Sequence, residues 1–316
     1  MRCPTISELP PPPQGKKGWP WRQETPQLPD VMPNGEPWPK ISIVTPSYNQ
    51  GQFIEQTVRS VLLQGYPNLE YIIMDGGSTD ISVEIIKKYG KWLAYWVSEP
   101  DKGQSNAINK GFNKASGEIY GWLNSDDYFL KNALGAVAMA HRDSPDAEAW
   151  CGGSLDVDIH GKKRMIVWPK RLEAEAIARW NRNSFGQPAC LFSGKAWRKC
   201  GPLDEDLYYG MDFDLWLKIA KEFSFAKINE LIAVDRVHKD AKTQRDRGQM
   251  YAIQCLIQIR HGYERVAVED MSQWLNTYFK MEKILFTASR FPLFRPILPI
   301  AQIVWRKFFL GTTQKV

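Results

Sequence analysis

Tyr120-Gly-Trp-Leu-Asn-Ser-Asp-Asp127 is a short apolar run that ends abruptly in four polar residues. Such a run is typical of a buried strand that delivers acidic side chains to the rim of a sheet, where α/β folds bind ligands. Because adjacent carboxylates repel each other, Asp126 and Asp127 favour a bound cation, and hard oxygen ligands suit Mg²⁺ or Mn²⁺ better than zinc. A second interpretation also fits, in which the two aspartates cap a helix that begins near Leu130.

The chain on both sides of this run alternates between strand-like and helix-like patterns. The predicted strands are residues 40–45, 69–74, 94–97 and 119–123, followed by extended segments at 150–156, 164–168 and 225–228. The predicted helices are residues 53–63, 80–89, 104–114, 130–141, 172–180 and 212–222. Alternation with short connections predicts an α/β fold with a mostly parallel, mixed, Rossmann-like sheet flanked by helices.

The first 39 residues form a proline-rich leader. Its composition predicts an irregular or polyproline-like backbone. Trp19, Trp21 and Trp38 favour a leader that lies along the domain surface, because aromatic residues are scarce in free linkers.

A helical extension is predicted for residues 244–316, with helices from about 243 to 260 and from 268 to 288. Residues 291–310 are apolar, but prolines interrupt them and basic residues are interspersed. A spanning helix of about 20 apolar residues is therefore not expected. Aromatic residues beside basic ones favour an interfacial segment and peripheral membrane contact, although packing of this tail on its own domain fits equally well.

The composition is that of a globular protein in a reducing compartment. Hydrophobic residues make up 43% and charged residues 24% of the 316 positions. The net charge of +6, without a dense basic block, does not indicate nucleic-acid binding. Five scattered cysteines without CxxC spacing argue against a disulfide scaffold or a zinc site. The first residues lack the apolar core of a secretory signal, so we predict a cytoplasmic location.

Two further loops are predicted at the same sheet edge as the acidic run. The first strand leads into Pro46, Tyr48 and Asn49, and Tyr48 has the flat ring needed to stack on a nucleobase. The second leads into Asp75-Gly-Gly-Ser-Thr-Asp80, where glycines let backbone N–H groups approach a ligand and Asp75 can accept a hydrogen bond from a base. Each loop alone also fits an ordinary turn, but their joint position favours a ligand site.

Known nucleotide-binding signatures are missing from the sequence. Neither GxGxxG nor GxxxxGK[ST] occurs, which argues against a dinucleotide oxidoreductase and a P-loop enzyme. A sugar-phosphate nucleotidyltransferase would need a glycine-rich basic loop after its first strand, and that loop is absent as well.

The chain instead resembles family 2 glycosyltransferases with the GT-A fold, from about residue 41 to residue 243. The motifs in the order and spacing of that family are Val44-Thr-Pro-Ser-Tyr-Asn49, Asp75-Gly-Gly-Ser-Thr-Asp80, Glu99-Pro-Asp-Lys-Gly103, Asn109-Lys-Gly111 and Leu123-Asn-Ser-Asp-Asp127. The later ones are Gln187-Pro-Ala, Gly201-Pro-Leu-Asp-Glu205, Met211-Asp-Phe-Asp-Leu-Trp-Leu217 and Arg236-Val-His238. The resemblance implies a GT-A domain over residues 40–243, with a nucleotide-binding half at 40–128 and an acceptor half at 129–243.

The resemblance also implies a donor site. Pro46, Tyr48 and Asp75 match nucleotide-binding positions of the family, and Asn49 lies in the same loop. Asn124-Ser125-Asp126 falls on the family's DXD element. Asn124 and Ser125 are therefore expected to face the ribose, and Asp126 is expected to bind the Mn²⁺ or Mg²⁺ ion that bridges the donor diphosphate.

Two later positions complete the implied site. His238 matches a second metal ligand, and Asp212 matches the catalytic base. Two departures from the family's pattern are Asn124, where the first DXD aspartate is expected, and Asn106, where many relatives have aspartate. Asp127 is left as a helix cap or an acceptor contact.

The residue types suit the implied chemistry. A carboxylate at a helix start, Asp212, is suited to take the proton of an attacking hydroxyl, and a metal held by Asp126 and His238 would stabilise a departing diphosphate. Structural interpretations stay open: Asp212 as a helix N-cap with Asp214 as the base, and His238 as a surface histidine.

The sequence therefore predicts an inverting, metal-dependent glycosyltransferase. Its donor would be a nucleotide-sugar, with UDP favoured, and its acceptor a hydroxyl of a saccharide or a lipid-linked molecule, as in surface polysaccharide biosynthesis. We expect a cytoplasmic enzyme, with peripheral contact to the inner face of the membrane through the C-terminal tail. The alternative is a catalytically inactive GT-A module that binds nucleotide or saccharide, for which Asn124 is the hint.

Overall fold

The computed structural model describes residues 1–238, 242 and 247–289. The strands in this part are β1 (Ile41–Ser47), β2 (Leu69–Asp75), β3 (Tyr95–Ser98), β4 (Ile119–Trp122), β5 (Tyr128–Phe129), β6 (Ala147–Val157), β7 (Lys163–Val167), β8 (Cys190–Ser193) and β9 (Ser224–Arg236). They form one sheet in the order β3-β2-β1-β4-β8-β6-β9-β5, and β7 pairs with β6.

Helices flank the sheet, and the last two of the described part follow its final strand. The α-helices in the described part are α1 (Ile54–Leu62), α2 (Ser82–Tyr89), α3 (Gln104–Phe112), α4 (Ala133–Asp143), α5 (Ala174–Ala178), α6 (Trp180–Asn183), α7 (Gly194–Cys200), α8 (Met211–Glu222), α9 (Arg247–Arg260) and α10 (Glu264–Ser289). Short 3₁₀ helices occupy Gly90–Trp92 and Gln187–Ala189. The predicted α/β fold with C-terminal helices is confirmed.

The N-terminal half of the sheet is parallel, as predicted. β1 pairs with β2 and β4, and β2 pairs with β3. β1 is buried along its whole length, and its alternating side chains enter two apolar cores, with Ile41 and Ile43 in one and Val44 in the other. A strand buried on both faces is mostly apolar, and the buried hydroxyls of Ser42 and Thr45 are hydrogen-bonded to Glu70 and Tyr71.

The second half of the sheet is mostly antiparallel. β8 runs antiparallel to β4 and β6, whereas β6 and β9 are parallel. The sequence analysis missed β5, β8 and α7, and it predicted only residues 225–228 of β9. Exposed polar residues such as Glu230 interrupt the apolar pattern of β9, so its sequence does not show its full length.

The predicted helix at 130–141 begins three residues later, at Ala133. Its N-cap residue is Asn132, in a left-handed conformation with φ 60°. Asp126 and Asp127 precede this position by several residues, so the interpretation that they cap this helix is wrong. The aspartates belong to the segment that joins β4 to β5.

The leader packs on the domain, and its main anchor is the fully buried Arg59 of α1. The Arg59 guanidinium donates to the carbonyls of Pro10, Pro20 and Trp21 and to the Tyr89 hydroxyl, at 2.8–3.1 Å. These acceptors satisfy a charge that burial would otherwise make costly. The leader therefore lies along the domain surface, as its tryptophans indicated.

The C-terminal part differs in detail from the prediction. The predicted helix at 172–180 is split into α5 and α6, and the predicted helix at 268–288 begins earlier, at Glu264. Residues 291–310, for which an interfacial segment was predicted, lie outside the described residues. No helix in the described part is both long and apolar enough to cross a membrane.

Candidate active site

A carboxylate and an imidazole meet where β4 and β9 end. Asp126 follows β4 and His238 follows β9, and Asp126 Oδ2 lies 3.0 Å from His238 Nε2. Both side chains are largely buried, with 19% and 5% of their surfaces exposed. The Phe53 ring packs against the imidazole at 5.2 Å between ring centroids, which restricts its orientation. The fold thus brings together the two residues predicted as metal ligands.

The Asp126–His238 pair fits one edge of a divalent metal site. In octahedral coordination with bonds of about 2.1 Å, neighbouring ligand atoms are about 3 Å apart, which is close to the observed separation. Among the described residues, no group of three or more His, Cys, Asp or Glu side chains has the geometry of a metal site. A two-ligand protein contribution is what Mg²⁺-type sites use when substrate phosphates and water supply the remaining ligands.

Two aspartates that the sequence analysis missed lie beside this pair. Asp156 of β6 and Asp235 of β9 are register partners across parallel strands. Burial, followed by the charges of Asp156, Asp126 and Asp212, raises the pKa of Asp235 to about 7, against a smaller opposing effect of His238. The site is therefore rich in negative charge, which a cation would relieve. Only the strand pairing reveals that Asp156 and Asp235 are neighbours, because the two residues are far apart in sequence.

Asp212 lies in the first turn of α8 and is partly buried. Burial raises its pKa above the usual value, and the nearby Lys242 ammonium opposes this effect. Gly210, and not Asp212, is the N-cap residue of α8. The Asp212 carboxylate instead accepts from first-turn backbone amides, which also oppose the effect of burial on its pKa. Its contribution to the raised pKa of Asp235 places Asp212 within electrostatic reach of the same acidic cluster as Asp126.

Asp214 occupies a different environment on the opposite face of α8. Its buried carboxylate accepts from His261 Nε2 at 2.8 Å and pairs with Lys218 Nζ at 2.7 Å. Burial alone would raise the pKa of Asp214, but His261 and Lys218 together hold it below the usual value. This pairing ties α8 to the turn between α9 and α10 and disfavours Asp214 as an alternative base.

The two predicted nucleotide loops are hydrogen-bonded to each other. The Asn49 amide donates to Ser78 Oγ at 2.8 Å, and Asn49 Oδ1 accepts from the Thr79 amide at 2.9 Å. Asn49 is left-handed, with φ 52°, a conformation that asparagine tolerates. The Gly51 amide also donates to Asp80 Oδ2. Both loops therefore open at one sheet edge, as the strand order required.

Asp75 ends β2 and is almost fully buried. Its carboxylate accepts from the Ser78 amide, the Ser78 hydroxyl and the Ser98 hydroxyl, at 2.6–2.9 Å. These bonds hold the carboxylate in one orientation at the carboxyl edge of the sheet. A carboxylate held in one orientation is suited to recognise the edge of a base. The three bonds leave few lone pairs of Asp75 for a ligand.

Pro46 and Tyr48 differ in their surroundings. β1 continues through Ser47, so Pro46 lies inside the strand and not in a loop as predicted. Proline is tolerated there because the register with β4 ends at Val44, and the missing N–H leaves no ladder bond unmade on that side. The Tyr48 side chain is 61% exposed at the sheet edge and is free to cover a flat ligand.

Asn124 and Ser125 are held within the protein. Asn124 Oδ1 accepts from Gln104 Nε2 at 2.7 Å, and its Nδ2 donates to Asp127 and Gln187 at 3.2 Å. Ser125 is buried, and its carbonyl accepts from the Thr57 hydroxyl. A ribose contact of the Asn124 side chain would compete with its bonds to Gln104, Asp127 and Gln187.

Asp127 has a structural role that the sequence did not show. Its Oδ1 accepts from the Arg236 amide at 2.8 Å, which connects the β4–β5 segment to the end of β9. Burial, followed by the charges of Asp235 and Asp126, raises the pKa of Asp127 well above its usual value. The Arg236 guanidinium is itself buried between the Phe53 and Tyr128 rings, at 4.6 and 5.4 Å from their centroids.

An open α/β sheet with two linked loops and a carboxylate–histidine pair at one edge is consistent with the GT-A fold that the sequence predicted. Solved structures show the same fold. A mannosyltransferase from Pyrobaculum calidifontis, in complex with GDP-Man and Mn²⁺, has a TM-score of 0.56 and 18% identity, covering 89% of each chain. TarS from S. aureus, residues 1–349 in complex with UDP-GlcNAc, has a TM-score of 0.56 and 16% identity, covering 85% of this chain and 81% of that one.

Residues 42–195, just under half of the chain, match the model of glycosyl transferase family 2, and this segment is similar to that family. An uncharacterised glycosyltransferase of Rickettsia typhi is 29% identical over 214 residues, which is 65% of this chain and 66% of that protein. Chondroitin synthase of Pasteurella multocida is 29% identical over 212 residues, which is 64% of this chain and only 21% of the synthase. The chain thus matches just under two thirds of its rickettsial relative and about a fifth of the synthase.

Proposed function

We propose that the protein transfers a sugar from a nucleotide-diphospho-sugar to a hydroxyl of a saccharide or lipid-linked acceptor, with inversion at the anomeric carbon. The observation that carries this proposal is the Asp126–His238 pair at the sheet edge, with Oδ2 and Nε2 3.0 Å apart, and the effect of the Asp212 charge on the neighbouring Asp235 supports a base near it. A base and a metal-binding pair at one sheet edge are the two functions that this transfer needs.

The donor site is proposed at the linked loops after β1 and β2. Tyr48 would cover the base, Pro46 and Asn49 would shape the pocket, and Asp75 would accept from the base edge. UDP is our preferred nucleotide, since TarS was solved with UDP-GlcNAc. Because the Pyrobaculum enzyme was solved with GDP-Man, GDP is the alternative nucleotide.

The metal is proposed to be Mn²⁺ or Mg²⁺, held by Asp126 and His238. When bound, it supplies positive charge that stabilises the diphosphate leaving group. Asn124 and Ser125 support the segment that carries Asp126, and their proposed contact is with the ribose.

Asp212 is proposed as the general base. As the acceptor oxygen bonds to the anomeric carbon, its proton passes to the Asp212 carboxylate, and the bond from that carbon to the donor phosphate oxygen breaks. A single displacement of this kind inverts the anomeric configuration. The raised pKa of Asp212 makes it a better proton acceptor than an exposed aspartate.

The acceptor is proposed to approach from the side formed by residues 129–243. We place the reaction in surface polysaccharide assembly at the inner face of the cell membrane, by analogy with chondroitin synthase, whose name states a polysaccharide product.

A thermal-shift panel of nucleotide-sugars with and without Mn²⁺ tests the donor site. We expect one nucleotide class to raise the melting temperature, and more strongly with the metal, because ligands that bind only the folded state stabilise it. If no nucleotide has an effect, the donor assignment is wrong. Donor binding without any hydrolysis or transfer to a range of saccharide acceptors would favour the inactive binding module that Asn124 suggested.

A further inference from the structure

The β6–β7 hairpin projects beside the candidate site. Its turn, residues 158–162, is held by Asp158, whose carboxylate accepts from the amides of His160 and Lys162, both at 2.9 Å. Gly161 supplies the left-handed residue of the turn, with φ 79°. The tip is therefore an ordered structure and not a loose loop.

Aliphatic side chains are exposed on both faces of this hairpin. Ile159, Met165 and Ile166 are 54%, 57% and 49% exposed. Met165 and Ile166 are adjacent in β7 and therefore point to opposite faces. β7 pairs with β6 and with no other strand of the described chain. Because these side chains lie on both faces of one hairpin, an apolar phase would cover all three only if the hairpin entered it.

Three consecutive basic residues, Lys162, Lys163 and Arg164, are exposed at the same tip. Few carboxylates balance them. Asp158 accepts from the turn amides and its charge offsets part of that of Lys162, while Arg164 opposes the raised pKa of Asp156 at the hairpin base. Lys162 and Lys163 form no ion pair with any residue in the described part of the chain. The tip therefore presents an unbalanced positive charge.

We propose that the tip of this hairpin inserts into the headgroup region of an anionic lipid bilayer. This inference rests on the proposed function, for which it selects a membrane-borne acceptor. Basic residues flanked by exposed aliphatic side chains are the combination that binds anionic membrane interfaces. A soluble polyanion would pair with Lys162 and Lys163 but would leave Ile159, Met165 and Ile166 in water, so the exposed aliphatic residues favour lipid.

The position of the hairpin connects this surface to the site. Asp156 pairs in register with Met165 on one side and with Asp235 on the other. Met165 and Asp235 therefore flank Asp156 on the same face of the sheet. A bilayer at the tip would lie next to the side from which the acceptor is proposed to enter.

The test is flotation of the full chain with vesicles of phosphatidylcholine alone or with added phosphatidylglycerol. One variant removes charge (Lys162→Ser, Lys163→Ser, Arg164→Ser), and a second removes aliphatic surface (Ile159→Ser, Met165→Ser, Ile166→Ser). The matched control carries Lys87→Ser, Lys91→Ser and Lys114→Ser, three exposed lysines near β3, at the opposite edge of the sheet.

We expect binding of the parent to require phosphatidylglycerol. The charge variant should bind about tenfold or more weakly and lose most of the salt dependence, since each basic residue near an anionic surface adds to the attraction. The aliphatic variant should bind more weakly at every salt concentration, and the control should bind like the parent. The two hairpin variants should keep the parental melting temperature, because the changed side chains are exposed.

The proposal is overturned if the parent does not bind or if both hairpin variants bind as the parent does, which would assign any binding to another segment such as the C-terminal tail. Loss of binding in the charge variant alone would indicate a soluble polyanion instead, and competition by dextran sulfate would confirm it. Donor hydrolysis measured without vesicles separates the two proposals, since it reports on the active site whether or not the hairpin binds lipid.

Discussion

His238 Nε2 lies 3.0 Å from Asp126 Oδ2, although 112 positions separate the two residues in the chain. The contact exists because β9 runs back along β5, so its end lies against the segment that follows β4. The bond from the Arg236 amide to Asp127 fixes this meeting point two residues before the histidine. The candidate metal site is therefore assembled by the last strand of the sheet.

Loss of either member of this pair should remove the metal dependence of donor binding. Asp126→Asn or His238→Asn is expected to weaken nucleotide-sugar binding in Mn²⁺ by about tenfold or more, because the remaining protein ligand holds the metal poorly. Isothermal titration with and without Mn²⁺ measures this effect. His160→Asn, at the hairpin turn and outside the site, is the control and should bind like the parent. Undiminished metal dependence in His238→Asn would exclude it as a ligand.

Asp212→Asn and Asp214→Asn should separate catalysis from stability. Asp212→Asn is expected to lower the transfer rate by about 10²-fold or more and to leave donor affinity unchanged, since only the proton acceptor is lost. Asp214→Asn should instead lower the free energy of unfolding by about 1–3 kcal/mol, because its partners His261 and Lys218 lose their counter-charge. Rate assays and urea unfolding of both variants distinguish the roles, and the reverse pattern would make Asp214 the base.

The pH dependence of the transfer rate should show the raised pKa of a buried base. Asp212 must be ionised to accept a proton, and burial raises its pKa, so the rate should rise with pH through a midpoint above the ordinary value of about 3.9. Lys242 opposes the effect of burial, so Lys242→Gln should move this midpoint to higher pH. The pH dependence of kcat for both proteins measures the shift, and a midpoint that stays or falls in Lys242→Gln would contradict the assignment.

Arg59→Met should loosen the leader. The guanidinium anchors three leader carbonyls from a fully buried position, so its removal is expected to lower the free energy of unfolding by about 3 kcal/mol or more. Urea unfolding measures the loss, and hydrogen exchange should report faster exchange at the Trp21 and Thr25 amides, which bond to backbone carbonyls in the fold. Arg22→Ala, an exposed substitution in the leader, should change stability by less than about 0.5 kcal/mol. Equal stabilities for the two variants would show that Arg59 is no anchor.

The parallel half of the sheet was predictable because its strands are short runs rich in apolar residues that alternate with helical segments. The strands at 41–47, 69–75 and 119–122 were all predicted to within about two residues. A polar motif follows each of them, and these motifs predicted that the three strands end at the same sheet edge. The antiparallel half of the sheet was not predictable in the same way. β8 has only four residues, and β9 alternates poorly because its N-terminal part is exposed.

The sequence by itself determined the resemblance to a family, through motifs such as 75–80 and 123–127, because turn residues and carboxylates at strand ends are a local property of the chain. Only the tertiary structure decided which carboxylates share a site. It gave Asp127 a role different from that of Asp126, as the acceptor of the Arg236 amide. It also brought Asp156 and Asp235 beside Asp126. The reason is physical: the pKa values and metal-binding capacity of these groups depend on burial and on charges that strand pairing brings close from more than 100 residues away.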